Sequence, residues 1–266
     1  MHLIDYIIIL AYLIGLLWLG FRRKMSDTSS AGELILAGRR LTMPAFALSI
    51  VSTWYGGILG VGEYSYKYGL SNWLVFGLPY YVAAAIFALF LAKKARESQV
   101  LTIPERLGQV YDGRTAVLGG IIIYLVTVPG AYVLSIGVLC EQIFGIPFWI
   151  GVVGGAFFSI VYVYMGGFSS VVRTDIFQTV CMFAGFIALF FFLVTQYGGL
   201  DFLQANLPAD HLTWHGGKSG WYIATWYVIA LMTLAEPAFF QRCCASKSPA
   251  TARNGILLAI GLWACF

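Results

Sequence analysis

Three stretches of this sequence place polar or helix-breaking residues inside strongly apolar surroundings, where they need a reason to be. The first reads Pro44-Ala-Phe-Ala-Leu-Ser49-Ile-Val-Ser52-Thr53-Trp54-Tyr55-Gly56-Gly57-Ile-Leu-Gly60-Val-Gly62. Each glycine inside a helix costs about 1 kcal/mol against alanine. Close helix packing is one use for such small residues. A discontinuous helix is the other: a break centred on Ser52–Tyr55 frees backbone carbonyls at mid-membrane, where they can ligate a cation. The second stretch is Leu234-Ala-Glu236-Pro237-Ala. A carboxylate there is costly against lipid and must face protein or water, and Pro237 interrupts the helix that carries it. The third is Arg173-Thr174-Asp175, an acid about one turn into an apolar run. Read on its own, it is a solvated helix-end charge beside Arg173.

The chemistry these residues offer is binding rather than bond-making. The three histidines, His2, His211 and His215, fall outside the apolar runs, and no His-Glu-x-x-His occurs. A membrane-embedded enzyme would need a base or metal site within the spans, so the chain reads as a non-enzyme without a cofactor. His211 and His215 are four apart, which suits zinc on a helix, but Leu207-Pro208 and Gly216-Gly217 point to a loop. The cysteines, Cys140, Cys181, Cys243, Cys244 and Cys265, are odd in number and mostly apolar in setting, unlike a secreted disulfide framework. They read as buried or lipid-facing thiols, with lipidation or redox chemistry at the vicinal Cys243-Cys244 pair as the alternative. Glu63 and Glu141 read as solvated helix-end acids.

The elements that must position these residues are membrane spans. The hydrophobic set makes up 60% of 266 residues and only 11% are charged, with a mean hydropathy of +0.82. Soluble domains carry about 25% charged residues. The net charge of +4 is small and clustered, which excludes a basic nucleic-acid stripe and leaves the lipid bilayer as the surrounding partner. Runs near the ~20 residues needed to cross hydrocarbon occur at Ile4–Phe21, Met43–Tyr64, Trp73–Leu91, Ala116–Cys140, Pro147–Met165, Thr174–Tyr197 and Trp221–Phe240. An eighth starts near Gly255 and reaches Phe266 after about twelve residues, roughly 18 Å against a ~30 Å core. The expectation is a chain that continues in the native protein. The first run carries Asp5 rather than a basic flank, so it is not read as a cleavable signal.

Charge orients the spans. The loop after the first holds Arg22, Arg23, Lys24, Arg39 and Arg40; that after the third holds Lys93, Lys94, Arg96, Arg106 and Arg114. Arg173 follows the fifth, and Arg242, Lys247 and Arg253 follow the seventh. Of the sixteen basic residues only Lys67 and Lys218 lie in even-numbered loops. The odd loops are therefore predicted to be cytoplasmic and the N-terminus outside, as in a multi-pass protein of the cell membrane.

Spans two and seven are five apart and both are interrupted. Breaks at corresponding positions of two halves point to an inverted-repeat transporter. On this reading residues 1–42 form a leading helix and cytoplasmic loop, 43–197 the first repeat, 198–220 an outer loop, and 221–266 an incomplete second repeat.

The segment Gly166-Gly167-Phe-Ser-Ser170-Val171-Val-Arg173-Thr174-Asp175-Ile-Phe-Gln178 resembles the signature of the sodium:solute symporter family, departing at Ser170, where alanine is usual. Glu236-Pro-Ala-Phe-Phe-Gln241-Arg242 is similar to that family's motif at the end of span seven, and Ala47 through Gly62 to its second helix. The resemblance covers the whole chain but about the first half of a family member. It implies the leucine-transporter fold, an all-α bundle with a five-plus-five inverted repeat and a leading extra helix. It implies sodium as the coupling ion, held in part by the backbone carbonyls of Ser52 and Tyr55, with Asp175 near the inner sodium pathway. The remaining ligands would lie on a ninth helix absent from this chain. It places a small-molecule solute beside the same break, making Thr53, Trp54, Gly56, Gly57 and Thr233 candidates to touch it. Sodium-coupled transport by alternating access is the expected function; a transporter-like sensor module ahead of a signalling domain is the alternative. The sequence does not encode the solute.

Overall fold

The computed structural model describes residues 2–21 and 31–265; for Ala31, Gly56, Tyr162 and Met165 it describes the backbone alone. Arg22, Arg23, Lys24 and Phe266 lie outside the described residues. The helices are α1 (Leu3–Phe21), α2 (Ala31–Leu36), α3 (Met43–Trp54), α4 (Ile58–Tyr68), α5 (Leu78–Ile86), α6 (Ala92–Glu97), α7 (Ile103–Val110), α8 (Gly113–Val126), α9 (Gly130–Phe144), α10 (Phe148–Tyr197), α11 (Leu200–Asn206), α12 (Gly220–Ala230), α13 (Pro237–Ala245) and α14 (Pro249–Ala264). Among the described residues there is no strand, only an isolated parallel bridge between Leu41 and Ser246.

Among the described residues, five helical stretches are long and apolar enough to cross a membrane: Leu3–Phe21, Trp73–Glu97, Gly113–Phe144, Gly166–Tyr197 and Gly220–Ala245. The pair α3 and α4, bent by 62°, makes a sixth if counted as one span. The Phe148–Val161 helix is apolar but shorter. The expected fourth span falls within Gly113–Phe144 and is built of two helices, because Pro129 has no N–H to extend α8 and disfavours helix at the residue before it; α8 ends at Val126 and α9 starts at Gly130. The last helix also begins earlier than its hydropathy indicated. Ser248 caps it, accepting from the Thr251 N–H at 3.1 Å, and Pro249 occupies the first turn. The polar residues Thr251, Arg253 and Asn254 hide that turn from a hydropathy reading.

The bend between α3 and α4 has a local cause. Gly56 and Gly57 lack the side chains that would favour regular helix, and the ladder tightens into a 3-10 turn over Tyr55–Gly57 in which the Ile58 N–H donates to the Tyr55 carbonyl. Opposite distortions occur in the next span, which widens to π geometry at Trp73–Gly77 and again at Phe87–Leu91. Pro79 accounts for the first: it cannot donate to the carbonyl four residues back, and the Leu78 N–H reaches Trp73 instead.

The core sits around α3. Phe46, Ala47, Ile50 and Val51 are fully buried, as are Phe239 and Cys243 of α13 and Ile256 and Ala259 of α14. With lipid as solvent, association rests on close packing rather than on exclusion of water. Gly255 lets α14 approach α3 so closely that a Cβ there would lie 2.7 Å from Phe46, and Gly151 meets the Gly137 backbone across α9 and α10. Cys243 and Cys244 are both fully buried, and the Cys244 thiol lies 3.4 Å from the Ala95 carbonyl. That burial removes the access lipidation or thiol exchange would need. α1 leans on the outside of α10, Tyr12 stacking on Phe177 at 5.8 Å.

Loops meet at two ends of this bundle. At one, Arg39 donates to the carbonyls of Gln99 and Val100, Arg96 to that of Ser246, and Leu41 pairs with the 245–247 backbone. These are the basic loops after spans one, three and seven. At the other, the Leu70 N–H donates to the His211 carbonyl at 2.8 Å and Trp73 packs edge-on against Trp214. The loops after spans two and six thus meet each other, apart from the basic ones.

Gly167 turns the chain between the Phe148 and Tyr197 ends of α10. Its φ of 58° and ψ of −164° belong to a region reserved for glycine, and a Cβ would lie 2.9 Å from the Leu34 carbonyl. Gly167→Ala is therefore expected to destabilise by about 1–3 kcal/mol, seen as a lowered melting temperature in detergent. Gly185→Ala, in open space on the same helix, should not lower it.

Candidate functional site

Three hydrogen bonds join α3 to the second half of α10, each one turn or less from the next. Thr179 donates to the Leu48 carbonyl at 2.7 Å, the Ser49 hydroxyl to Asp175 Oδ2 at 2.5 Å, and the Ser52 hydroxyl to Gln178 Oε1 at 3.1 Å. Residues three and four apart share a helix face, so Ser49, Ser52 and Thr53 face Asp175, Gln178 and Thr179 in register.

Arg242 of α13 enters this seam from the side. Its Nη2 lies 3.1 Å from Asp175 Oδ2 and donates to Thr53 Oγ1 at 2.6 Å, while its Nε donates to the Ser49 hydroxyl at 3.0 Å. Nη1 reaches the Ala238 carbonyl and the guanidinium stands 5.5 Å from the Phe168 ring. Both charged side chains are removed from solvent, with relative exposures of 4% for Arg242 and 10% for Asp175. Asp175 is thus not the solvated partner of Arg173 that its sequence neighbourhood allowed. Arg173 turns back to the Ser170 hydroxyl at 3.0 Å. The carboxylate is neutralised by an arginine 67 residues later in the chain, and both Ser49 and Arg242 bond to the same oxygen, Oδ2.

The motif residues acquire physical roles. Gly166 leaves no room for a side chain beside Ser170, and Ser170, where the resembling signature has alanine, donates to the Gly20 carbonyl at 2.7 Å and ties α1 to the bundle. Val171 packs against the core, and the Thr174 hydroxyl donates to its carbonyl at 2.9 Å. Gln241 donates to the Ile35 carbonyl at 2.9 Å, holding α13 to α2. Glu236 is extended at φ −67°, ψ 115° and caps α13 through the Ala238 N–H. Span seven is therefore interrupted as expected: α12 tightens to a 3-10 turn over Leu231–Ala235, and α13 restarts at Pro237.

Beyond the bend of α3 lies a cavity of about 670 Å³. Trp54 and Tyr55 line it together with Ile58 and Gly62 of α4, and Trp263 of α14 closes one wall. Trp54 stacks on Trp263 at 4.6 Å and meets Phe239 and Tyr80 edge-on. Of the residues expected at a solute site, Trp54 faces this cavity, whereas Thr53 turns to Arg242. Thr233 is buried, 3% exposed, in the 3-10 turn of span seven and is not on the cavity wall. Gly57 is exposed beside the bend, with nothing within 4 Å of where a Cβ would sit, and the surroundings of Gly56 lie outside the described residues. Of the expected sodium ligands, the Tyr55 carbonyl accepts from Ile58, which leaves its second lone pair. The Ser52 hydroxyl is engaged by Gln178. Ser49, Thr179 and Trp263 went unrecognised as site residues. The i, i+4 pairs Ser49/Thr53 and Asp175/Thr179 carried a signal of a shared polar seam; Trp263 carried none.

Residues 34–266 match the family model described as the sodium:solute symporter family. The chain belongs to the sodium:solute symporter family. Within it, the chain is 26% identical over 263 residues to the high affinity choline transporter 1 of Homo sapiens, covering 92% of this chain and 44% of that protein. It is likewise 26% identical over 279 residues to sodium/proline symporter 2 of Staphylococcus saprophyticus, covering 97% and 54%, and 26% identical over 204 residues to the sodium-dependent multivitamin transporter of Oryctolagus cuniculus, covering 74% and 32%. The symporter-family chain spans about half the length, or less, of these relatives. Its fold is that of a solved Na+-coupled sialic acid symporter in a substrate-bound outward-open state, with a TM-score of 0.80 at 17% identity over 99% of this chain and 57% of that one. This symporter-family chain is a multi-pass membrane protein.

Removing one member of a buried ion pair strands the other, at about 3–5 kcal/mol. Asp175→Asn and Arg242→Gln should each lower the melting temperature of the full-length protein, and the double variant should fall well short of their sum. Additive losses would show that the two side chains do not act as a pair.

Proposed function

We propose that the full-length protein carries a small organic solute across the cell membrane by sodium-coupled alternating access, and that the described half supplies the solute cavity and part of the sodium site. The observation that carries this reading is the broken helix α3/α4, bent by 62°, with a buried carboxylate on one side and a cavity on the other. Family membership supports the coupling ion, and the choline, proline and vitamin relatives support a small organic solute.

On this reading Ser52 and Tyr55 contribute carbonyls to sodium at the bend, and Asp175 offsets the charge of Arg242 beside it. Sodium orders the Tyr55–Gly57 turn, which sets the Trp54 wall of the cavity, so that solute binds the sodium-loaded state better than the empty one. Trp54 is the solute contact this reading keeps, with Gly56 and Gly57 leaving room beside it. Thr53 acts through Arg242, and Thr233 supports the break in span seven. The layout is seven spans and the start of an eighth: a leading helix and cytoplasmic loop over 1–42, a first repeat over 43–197, an outer loop over 198–220 and the opening of a second repeat over 221–266. The N-terminus and the 198–220 loop lie outside, in accord with the gathering of the basic loops at one end.

Two measurements test this. Sodium-driven uptake into proteoliposomes should occur with the full-length protein, and Asp175→Asn should raise the sodium concentration for half-maximal uptake while solute affinity recovers at high sodium. Loss of the carboxylate leaves Arg242 charged and unpaired beside the sodium path, which weakens binding of the cation at low effective dielectric. A variant that is folded and has a sodium activation curve overlaying the wild type removes Asp175 from the coupling path. For orientation, an impermeant thiol reagent added to intact cells should leave Ser30→Cys unlabelled, judged against an otherwise cysteine-free background; labelling from outside inverts the topology.

A further inference from the structure

Gln178 stands one turn beyond Asp175 on the face of α10 that meets α3, where its side-chain oxygen accepts from the Ser52 hydroxyl at 3.1 Å. The neighbours of Ser52 explain why the hydroxyl goes there. A serine or threonine inside a helix ordinarily donates to the carbonyl four residues back. Thr53 does so, reaching the Ser49 carbonyl at 3.0 Å. The equivalent acceptor for Ser52 is the Leu48 carbonyl, which already accepts from Thr179 across the seam at 2.7 Å. With the helical N–H as its other partner, that oxygen has both lone pairs engaged. Two successive residues of α10 therefore act together. Thr179 fills the acceptor that Ser52 would otherwise use, and Gln178 supplies the replacement.

The choice of glutamine follows from charge. A carboxylate at 178 would offer the same oxygen, but one turn from Asp175, whose charge Arg242 already balances. A second anion in this seam would be uncompensated. An aliphatic side chain would leave the hydroxyl without an acceptor. The amide accepts without adding charge and keeps a donor for a second partner. That partner is on α1. The Tyr12 hydroxyl hydrogen-bonds with the Gln178 side chain, and the Tyr12 ring stacks on Phe177 at 5.8 Å and 21°. Gly15, one turn on, keeps α1 close: a Cβ there would lie 3.3 Å from the Phe177 ring. A line of contacts thus runs from the leading helix through Gln178 to Ser52, three residues before the turn at the bend begins.

We propose that Gln178 is a positioning residue of the sodium site. It holds the last full turn of α3 by the Ser52 hydroxyl, so that the Ser52 carbonyl is aimed into the bend, and through Tyr12 it relays the position of α1 to that turn. Gln178 itself touches no ion. The proposal rests on the reading of the Ser52 carbonyl as a sodium ligand.

The test is equilibrium binding of radiolabelled sodium ion to the purified full-length protein, with melting temperatures taken in sodium and in potassium. Gln178→Met and Ser52→Ala should each raise the half-saturating sodium concentration about two- to tenfold, the net worth of one hydrogen bond. The double variant should bind no more weakly than the weaker single one, because both remove the same bond. Tyr12→Phe, which removes one atom and keeps the stacked ring, should shift binding in the same direction and add nothing in the Gln178→Met background. A residue that only supports the fold would lower the melting temperature equally in both salts and leave sodium binding by the folded protein unchanged. A Gln178→Met curve that overlays the wild type, or losses that add in the double variant, overturns the proposal while the sodium reading stands. An unshifted Tyr12→Phe overturns the link to α1. If Gln178→Met does not fold, Ser52→Ala and Tyr12→Phe decide, and unshifted curves for both overturn the proposal. A wild-type protein without saturable sodium binding removes the sodium reading and this proposal with it.

Discussion

Burial of Asp175 and Arg242 against α3 is the constraint from which much of this structure follows. Two ions removed from water are tolerated only when paired and hydrogen-bonded, and here the pair enlists Ser49 and Thr53 to complete the set. That requirement fixes three helices at once. α3 must present its hydroxyls to α10, and α13 must end close enough for Arg242 to reach both. The break at Glu236-Pro237 redirects the chain so that α13 does so. Just beyond this fixed seam α3 stops being an α-helix, so a rigid polar clamp adjoins a turn with weak local preference for its own geometry.

That adjacency gives the site its means of coupling. The 3-10 turn at Tyr55–Gly57 lies between a buried carboxylate and an aromatic cavity, and Trp54 belongs to both neighbourhoods. It follows Thr53, a ligand of Arg242, and stacks on Trp263 in the cavity wall. A cation held by the carbonyls of this turn biases its far end, which shapes the solute wall. Differential affinity of that kind is what any ligand-driven shift between states requires.

Much of this was legible in the sequence, for identifiable reasons. The breaks announced themselves because glycine and proline act on the backbone locally, and the spans because hydrocarbon demands long apolar runs. The symporter signature placed Asp175 and Arg242 in separate motifs without saying that they meet, since nothing local to either residue encodes a contact across 67 positions. Arg173, two residues away, was the nearer partner in sequence and is not the partner in space. Thr233, a candidate solute contact by resemblance, is buried in the 3-10 turn of span seven. The start of α14 was missed because a capped, polar first turn has low hydropathy whether or not it is helical. The aromatic cavity was invisible for the same reason as the ion pair: Trp54, Trp73, Trp214 and Trp263 come from four distant segments, and only packing assembles them.

The central claim is that sodium acts on the α3 bend through Asp175. Hydrogen–deuterium exchange at the Tyr55–Gly60 amides, measured on the full-length protein in sodium and in potassium at equal ionic strength, tests it most directly. The account predicts slower exchange in sodium for the wild type and no sodium effect in Asp175→Asn. Identical exchange in both salts for the wild type, or an undiminished sodium effect in the variant, would contradict it.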